Sequence, residues 1–404
     1  MINWIQKVVD QHAKVESPQN FWRWAAMATL SAVAKDSIWL DRGGLYKLYP
    51  NIYVMLHADS GLKKGPPVAL AKNIVRKVNN TKIISGRSSI QGILKELGSG
   101  QSQPGGRVTT KSIGFIVASE FSSSLVNDPA AMTILTDLYD RQYNEGEYRS
   151  LLKMESFQLR DPTITMLVAT NEAHFEDFVA KKDIQGGFIG RMFVIAESEV
   201  QTLNPLIKRL ENPPNYDELA VYPKELAKLN GPFESLAETP AGDMYEDWYY
   251  KFYREFKESG IKDETGTIQR FGDSVLKIAM LISLSSDLSL KITEEHMIEA
   301  ITISEKLIGN IRKTTMAKKK ADDQAQIKAF IIRELLQRDG HTITRTMLMK
   351  KSIMGINSDE LDLIMASFDQ AGVIVTKSIA NQIVYEMPEK QVEEYMRYYR
   401  GMNK

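Results

Sequence analysis

The residues from Ala58 to Gly65 have types and a spacing that suit phosphate binding. The segment reads ADSGLKKG, and only Lys64 matches the phosphate-loop pattern G-x-x-x-x-G-K-[ST]. Such a loop holds ATP with backbone N–H groups at a helix N-terminus and with a lysine ammonium that reaches the outer phosphates. The candidate nucleotide-binding residues are therefore Ser60, Gly61, Leu62, Lys63, Lys64 and Gly65.

The same segment departs from the pattern at three positions. Ala58 and Lys63 stand at the two glycine positions, and Gly65 stands where a hydroxyl would help to bind magnesium. A basic turn that binds no nucleotide would have the same sequence. The segment alone therefore leaves open whether it is a phosphate-binding loop or such a turn.

A phosphate loop must lie between a strand and a helix, and the flanking residues predict both. Residues 52–56 (IYVML) are a short apolar run typical of a buried strand, and a helix is predicted from Pro66 and Pro67 onward. Three more apolar runs, separated by predicted helices, are expected to join the same parallel sheet: 113–118, 164–169 and 192–196. The predicted fold class is α/β with a parallel sheet in its core.

Four regions are predicted along the chain. Residues 1–45 are an N-terminal helical segment broken at Ser17 and Pro18, 46–210 the α/β core, 211–320 a helical lid and 321–404 a winged-helix domain with a C-terminal tail. A charged stretch at 318–323 is interpreted as a linker or a helix extension. The last region is assigned to a winged helix because its predicted order is helix, helix, helix, strand, strand.

Composition excludes several kinds of chemistry. The 404 residues include no cysteine, which removes disulfides and thiolate nucleophiles, and the five histidines are scattered without metal-ligand spacing. Lysine plus arginine and aspartate plus glutamate both number 51, so any nucleic-acid contact must come from a local basic patch. The N-terminus lacks the features of a signal peptide, and no run reaches membrane-spanning length, so a cytoplasmic protein without a membrane partner is expected.

A family resemblance extends from about residue 16 to about residue 285. It is carried by Tyr49-Pro50-Asn51, Ser60-Gly61 and Lys63-Lys64-Gly65, and upstream by Glu16-Ser17-Pro18, Phe21-Trp22 and Trp39-Leu40-Asp41. These segments resemble AAA+ (P-loop) helicase-like ATPases of phages, plasmids and mobile elements. In that family the lysine is commonly preceded by a second basic residue and followed by glycine.

The resemblance implies roles for four catalytic candidates. Glu120, after the apolar run of a Walker B element, would polarise the attacking water, and Asn171 matches the sensor-1 position that orients it. Arg191 looks like an arginine finger that reaches the neighbouring subunit's γ-phosphate, and Arg270 resembles the sensor-2 arginine of the lid. The alternatives are a helix cap at Asn171 and a solvated surface arginine at Arg270. Ser119 replaces an aspartate that usually helps to hold magnesium.

Nucleic-acid contacts are predicted on a hairpin between residues 147 and 160. In ring helicases that this chain resembles, a hairpin at this position carries a basic residue into the channel, which makes Lys153 the first candidate and Arg149 the second. An ordinary hairpin with solvated lysines is the alternative. The third helix of the winged-helix region is acidic, so this region is expected to dock rather than to read a DNA sequence.

The preferred hypothesis is an ATP-dependent DNA helicase or translocase that works in phage or mobile-element replication as a homohexameric ring. Its cofactors are ATP and Mg²⁺, and its partners are single-stranded or forked DNA, further copies of itself and other replication proteins. One alternative is a AAA+ initiator or helicase loader that hydrolyses ATP slowly, for which the missing hydroxyl and aspartate argue. Another is a DNA-binding scaffold with an inactive ATPase core.

Overall fold

The structure, a computed structural model, divides into two compact units, residues 1–310 and 311–404. It describes residues 3–78, 81–86, 88–98, 111–121, 125, 128–140, 147–151, 156–171, 175, 187–204, 213–258, 263, 266–351, 358–379 and 382–402.

The first part of unit 1 alternates strands and helices. In chain order its elements are α1 (Trp4–Gln11), α2 (Gln19–Ala34), β1 (Ile38–Asp41), β2 (Lys47–Leu48), β3 (Tyr53–His57), α3 (Gly65–Val78), β4 (Lys82–Ser85), α4 (Ile90–Gly98), β5 (Ile113–Ala118), α5 (Pro129–Tyr139), β6 (Glu147–Leu151), β7 (Ser156–Arg160), β8 (Thr163–Thr170) and β9 (Met192–Ala196).

Five of these strands form one sheet, in the spatial order β4-β5-β8-β3-β9, and every pairing in it is parallel. The β3 strand is buried along its whole length, as expected for a strand covered on both faces. The α/β class with a parallel sheet, predicted from the apolar runs, is confirmed.

The two faces of the sheet belong to two separate hydrophobic clusters. One cluster joins alternate strand residues such as Val54, Leu56 and Val117 to α2 and α3. The other joins Tyr53, Met55 and their neighbours to α4 and α5. This division follows from the pleat, because successive side chains of a strand point to opposite faces.

The direction in which successive strands are added to the sheet reverses at β3. It crosses from β3 to the far edge strand β4 in one direction, and from β8 over β3 to β9 in the other. The strands that follow β3 and β8 in the chain thus lie on opposite sides of this neighbouring pair. A crevice is expected at the carboxyl ends of two strands that diverge in this way, and ligands of open α/β sheets bind in such crevices.

The rest of unit 1 is mainly helical. It contains α6 (Tyr216–Leu219), α7 (Val221–Leu226), β10 (Gly231–Pro232), α8 (Pro240–Glu258), α9 (Phe271–Ser286) and the first part of α10 (Glu294–Leu336). Helix α9 is the most buried of these: all but a few of its residues are buried, and its apolar side chains belong to the cluster that includes α2.

Unit 2 has its own hydrophobic core. The elements that follow α10 are β11 (Thr342–Thr344), α11 (Arg345–Lys351), α12 (Ser358–Gln370), β12 (Val375–Ile379), β13 (Gln382–Glu386) and α13 (Glu389–Met402). Strands β11, β13 and β12 form an antiparallel sheet in that order, and α12 and the end of α10 pack with it through Ile331, Leu335 and Phe368.

The structure decides three further points about the elements. Helix α10 runs through the charged stretch at 318–323, so the helix extension, one of the two interpretations of that stretch, is confirmed. The edge strand β4 was not predicted, because KIIS is short and only half-buried. The sequence predicts Ser17 as the N-cap of the second helix, with Pro18 in its first turn. This is wrong, because Pro18 is at the N-cap position of α2 and the Ser17 hydroxyl has no hydrogen-bond partner. Among the described residues, no helix has the length and apolar character needed to cross a membrane.

Candidate functional site

The segment 58–64 leaves the sheet at the carboxyl end of β3, beside the carboxyl end of β8. The strand ends around it are tied by backbone hydrogen bonds. Ala58 N donates to Thr170 O (3.4 Å), Phe121 N to Ala169 O (2.7 Å) and Glu197 N to His57 O (3.0 Å). The chain segments that follow β3, β5, β8 and β9 therefore lie side by side.

The backbone of this loop turns at two residues with positive φ, Gly61 (100°) and Lys63 (44°). Lys63 stands at the second glycine position of the phosphate-loop pattern, and it adopts a left-handed conformation that favours glycine. Its ammonium forms an ion pair with Glu16, and Glu16 also accepts a hydrogen bond from Asn204 N (2.6 Å). These contacts, which tie the loop to the N-terminal segment, help to hold a non-glycine residue in this conformation.

Lys64 points back over its own loop. Its Nζ donates to the carbonyl oxygens of Ala58 (2.6 Å) and Asp59 (2.8 Å). Partial burial lowers the pKa of Lys64, while the negative charges of Asp59 and Glu120 oppose that shift. The Glu120 carboxylate is thus within electrostatic reach of the Lys64 ammonium, although 56 residues separate the two in the chain.

Helix α3 begins directly after Lys64 and offers few donors to a phosphate. Four N–H groups at a helix N-terminus normally lack an internal partner. Two of the first four residues here are Pro66 and Pro67, which have no N–H, so Gly65 and Val68 are the remaining donors. Gly65 has no positive φ, and a Cβ at this position would meet nothing within 4 Å.

The other catalytic candidates of this edge follow adjacent strands. Ser119 and Glu120 come directly after β5 and are exposed, and Asn171 follows β8 and is half-buried. The Asn171 carbonyl accepts a hydrogen bond from Phe175 N (2.9 Å). In the described part of the chain, no group of three or more His, Asp or Glu side chains could hold a metal ion.

Arg191 and Arg270 lie at the opposite, amino edge of the sheet. Arg191 ends a 3-10 turn (Ile189–Arg191) directly before β9, whose first residue pairs with the first residue of β3. That turn packs against a second 3-10 turn, Ile268–Arg270, directly before α9. Five strand residues, or roughly 15 Å at about 3.3 Å per residue, separate this edge from the loop with Lys64.

Both arginines are held by their own chain. The Arg191 guanidinium forms an ion pair with Asp140, with Nε at 3.0 Å, and its Nη1 donates to Gly187 O (2.8 Å). The Arg191 side chain is 9% exposed. Arg270 Nη1 donates to Gly266 O (3.0 Å), where Gly266 has a φ of 67°.

A buried lysine lies beside Arg191. Lys277 is 1% exposed, and its Nζ donates to Asn51 O (3.0 Å) and Asn51 Oδ1 (2.9 Å) and lies 4.0 Å from the centre of the Tyr139 ring. Burial lowers the pKa of Lys277 to about 7, with Asp140 and Asp273 opposing and Arg191 adding to the shift. Lys277 was not among the residues predicted from the sequence, although a single lysine in the apolar run VLKIAMLI was a signal for it.

The hairpin predicted to contact nucleic acid is present as β6 and β7, which pair antiparallel. Arg149 is in β6 opposite Gln158. Lys153 lies outside the described residues. In unit 2, the acidic helix α12 is partly neutralised, because Asp362 accepts two hydrogen bonds from Arg345 (2.8 Å each), which lowers the pKa of Asp362.

Comparison of the sequence with protein-family models and with curated proteins finds no match.

Proposed function

We propose that this chain is an ATP-dependent motor of the AAA+ kind that acts on DNA as a homo-oligomeric ring, with a C-terminal winged helix. One observation carries the proposal: Lys64 and Glu120 follow β3 and β5 at the same, carboxyl edge of the sheet and lie within electrostatic reach of each other. A cation that binds phosphate next to a carboxylate that can polarise water is the minimal arrangement for phosphoanhydride hydrolysis.

Nucleotide binding is proposed to displace Lys64 from its own loop carbonyls. The two carbonyl oxygens that now accept from its Nζ hold the ammonium within the loop, at a helix N-terminus that favours anions. In the proposed complex the ammonium binds the outer phosphates, Glu120 activates water and Asn171 orients it. The oxygen atoms of Ser60, Ser119 and Glu120 are the candidates for helping a phosphate-bound magnesium ion, whose chemistry is charge neutralisation on the phosphates.

The position of the arginines supports a ring rather than a monomer. Arg191 and Arg270 share the edge opposite Lys64, so they do not reach the nucleotide of their own chain without crossing the sheet. In a head-to-tail ring, the amino edge of one protomer faces the carboxyl edge of the next. We propose that both arginines act on the triphosphate of a neighbouring protomer.

The DNA contacts are proposed on the β6–β7 hairpin, with Lys153 and Arg149 binding phosphates independently of base sequence. In unit 2, β11, α11, α12, β12 and β13 occur in the order of a winged helix. Its acidic helix α12 favours a docking role over base reading.

The test is a mixing experiment with two inactive variants. Lys64→Ala is expected to lose ATP binding, and Arg191→Ala to keep binding but lose DNA-stimulated hydrolysis. In a mixed ring, some interfaces place the intact Arg191 of one variant against the intact Lys64 of the other. We therefore expect hydrolysis of about a quarter of the parent rate, as random pairing at each interface dictates.

Glu255→Gln is the control in the same mixing series, because it removes an exposed carboxylate from α8 together with a 4.0 Å ion pair to Lys251 on the surface of the same helix. Full activity of Arg191→Ala alone would eliminate the ring with a trans-acting arginine. Failure of the parent to bind ATP would eliminate the motor altogether.

A slowly hydrolysing initiator or helicase loader is the second candidate. The observation that favours it is the start of α3, where Gly65 brings no hydroxyl and two prolines remove N–H donors. It predicts ATP-dependent assembly on DNA without strand displacement on a forked substrate, whereas the motor predicts both. Binding of DNA without any binding of ATP would instead identify the third alternative, a scaffold with an inactive core.

A further inference from the structure

The amino edge of the sheet contains a group of charged side chains that the proposed hydrolysis does not use. Asp140 follows the last residue of α5, and its carboxylate holds Arg191. Lys277 from α9 is buried nearby and is attracted to Asp140 more strongly than to any other charged group. One carboxylate is thus shared electrostatically between two cations from different elements.

We propose that Asp140 acts as a latch that holds Arg191 within its own protomer, and that Lys277 balances the charge of Asp140 when Arg191 turns to the neighbouring protomer's triphosphate. This inference rests on the proposed function, since it gives Arg191 a resting position and a release step. Asp140 and Lys277 are positioning residues in this scheme, because neither of them contacts the nucleotide.

Within its own protomer, the Arg191 guanidinium is engaged in hydrogen bonds, so it is not available to contact the triphosphate of a neighbouring protomer. Three of its five N–H donors are engaged, on the Asp140 carboxylate and on Gly187 O, and the side chain is largely buried. Arg191 also packs close to Gly187, because a Cβ at this position would lie in van der Waals contact with Arg191 Nη1, at 3.5 Å. A guanidinium that contacts a neighbour's phosphate must first leave Asp140.

Departure of Arg191 would leave a mostly buried carboxylate behind, which is costly without another cation. Lys277 supplies that cation at a fixed place. Its ammonium is tied to Asn51, whose side-chain amide in turn donates to Tyr139 O (2.9 Å) at the end of α5. Helix α9, the segment before β3 and α5 are thereby joined in one network beside Asp140.

The positive charges of Arg191 and Lys277 repel each other. Arg191 lowers the pKa of Lys277, so departure of Arg191 raises it and favours protonation of Lys277. By reciprocity, a protonated Lys277 favours release of Arg191. The charged and titratable groups that affect Lys277 or its neighbours come from α5 and the residue after it, from the turn before β9, from β3 and from α9 with its preceding turn: Asp137, Tyr139, Asp140, Arg191, Tyr53, Arg270 and Asp273.

The experiment measures ATP hydrolysis against protein concentration for the full-length chain, because release of Arg191 should govern how readily protomers assemble into active interfaces. Asp140→Asn keeps the shape but weakens the latch, and we expect half-maximal activity at about tenfold lower protein concentration. Lys277→Met removes the balancing charge, and we expect a shift of about tenfold in the opposite direction. Glu255→Gln is the matched control without an expected shift.

If Asp140 and Lys277 had only a structural role, their variants would not shift the half-maximal protein concentration in opposite directions. Thermal unfolding of each variant identifies any loss of folded protein. In the parent, half-maximal activity should move to lower protein concentration as the pH falls from 8 to 6, and this trend should disappear in Lys277→Met. An Asp140→Asn variant that equals the parent or resembles Arg191→Ala overturns the latch and leaves the proposed function intact. A parent without ATP hydrolysis overturns both.

Discussion

The two edges of the central sheet differ in how their charged side chains are satisfied. At the carboxyl edge, Lys64 is held by loop carbonyls and Glu120 is exposed to solvent, so both can exchange their contacts for a ligand at low cost. At the amino edge, Arg191, Asp140 and Lys277 are mostly buried and joined to one another. At the carboxyl edge an anion would replace loop or solvent contacts, whereas at the amino edge any change of partner must first break a largely buried ion pair.

The largest expected effect on catalytic activity is at the carboxyl edge. Glu120→Gln should lower the rate of ATP hydrolysis by about 100- to 1,000-fold, because an amide cannot accept a proton from the attacking water. ATP affinity should be retained, since the amide removes a negative charge near the phosphates. Single-turnover hydrolysis and equilibrium binding of a fluorescent ATP analogue separate the two quantities. Equal loss of binding and hydrolysis would contradict the assignment of Glu120 as a general base.

At the amino edge, the expected effect is on the pH dependence of the free energy of unfolding. Because the folded-state pKa of Lys277 is about 7 and its ordinary value is 10.5, the unfolded chain binds more protons between these values. The burial penalty is fully present below pH 7 and is removed as the pH rises toward 10.5. Relative to Lys277→Met, the parent's free energy of unfolding should therefore rise by up to ~5 kcal/mol across this range.

Chemical denaturation of both proteins at pH 6, 8 and 10 measures this difference. Lys277→Met also leaves the oxygens of Asn51 without their donor, which costs about 1 to 3 kcal/mol at every pH. The pH dependence, not the absolute stability, is thus the quantity to compare. Parallel stability curves for the two proteins would show that Lys277 stays protonated in the folded chain.

A smaller effect, in the direction of a gain, is expected from Gly65→Ser. A Cβ at this position meets nothing within 4 Å, and the added hydroxyl could serve the magnesium ion that accompanies ATP. We expect magnesium-dependent hydrolysis to rise about tenfold, equivalent to about 1.4 kcal/mol. Gly65→Ala provides the Cβ without the hydroxyl and should not reproduce the gain. No difference between serine and alanine would mean that this position does not face the metal.

The smallest effects compare one glycine from each edge. Gly61→Ala and Gly266→Ala both place a Cβ at positive φ, which costs about 1 to 2 kcal/mol of stability. Gly61→Ala should in addition weaken ATP binding, because Gly61 shapes the loop. Gly266→Ala should instead disturb Arg270, whose Nη1 would lie 2.4 Å from the new Cβ, and so affect only the cooperation between protomers. Binding titrations and concentration-dependent hydrolysis distinguish the two outcomes.

The local elements were accessible to sequence reasoning because their signals are local. Short apolar runs identified β3, β5, β8 and β9, and the polar loop before Pro66 marked the start of α3. The short strand β4 was missed, since a four-residue, half-buried strand has no distinct periodicity. The charged stretch at 318–323 left a linker and a helix extension open, and the structure has a helix there.

The letters by themselves determined which residues could do chemistry: a lysine loop, an acid after a strand, and two arginines before buried elements. Only the tertiary structure decided which of them meet. Strand pairing between distant segments puts Lys64 near Glu120 and sends Arg191 and Arg270 to the other edge. It also buries Lys277 beside Asp140, because the desolvation and charge of a side chain depend on neighbours that are remote in sequence.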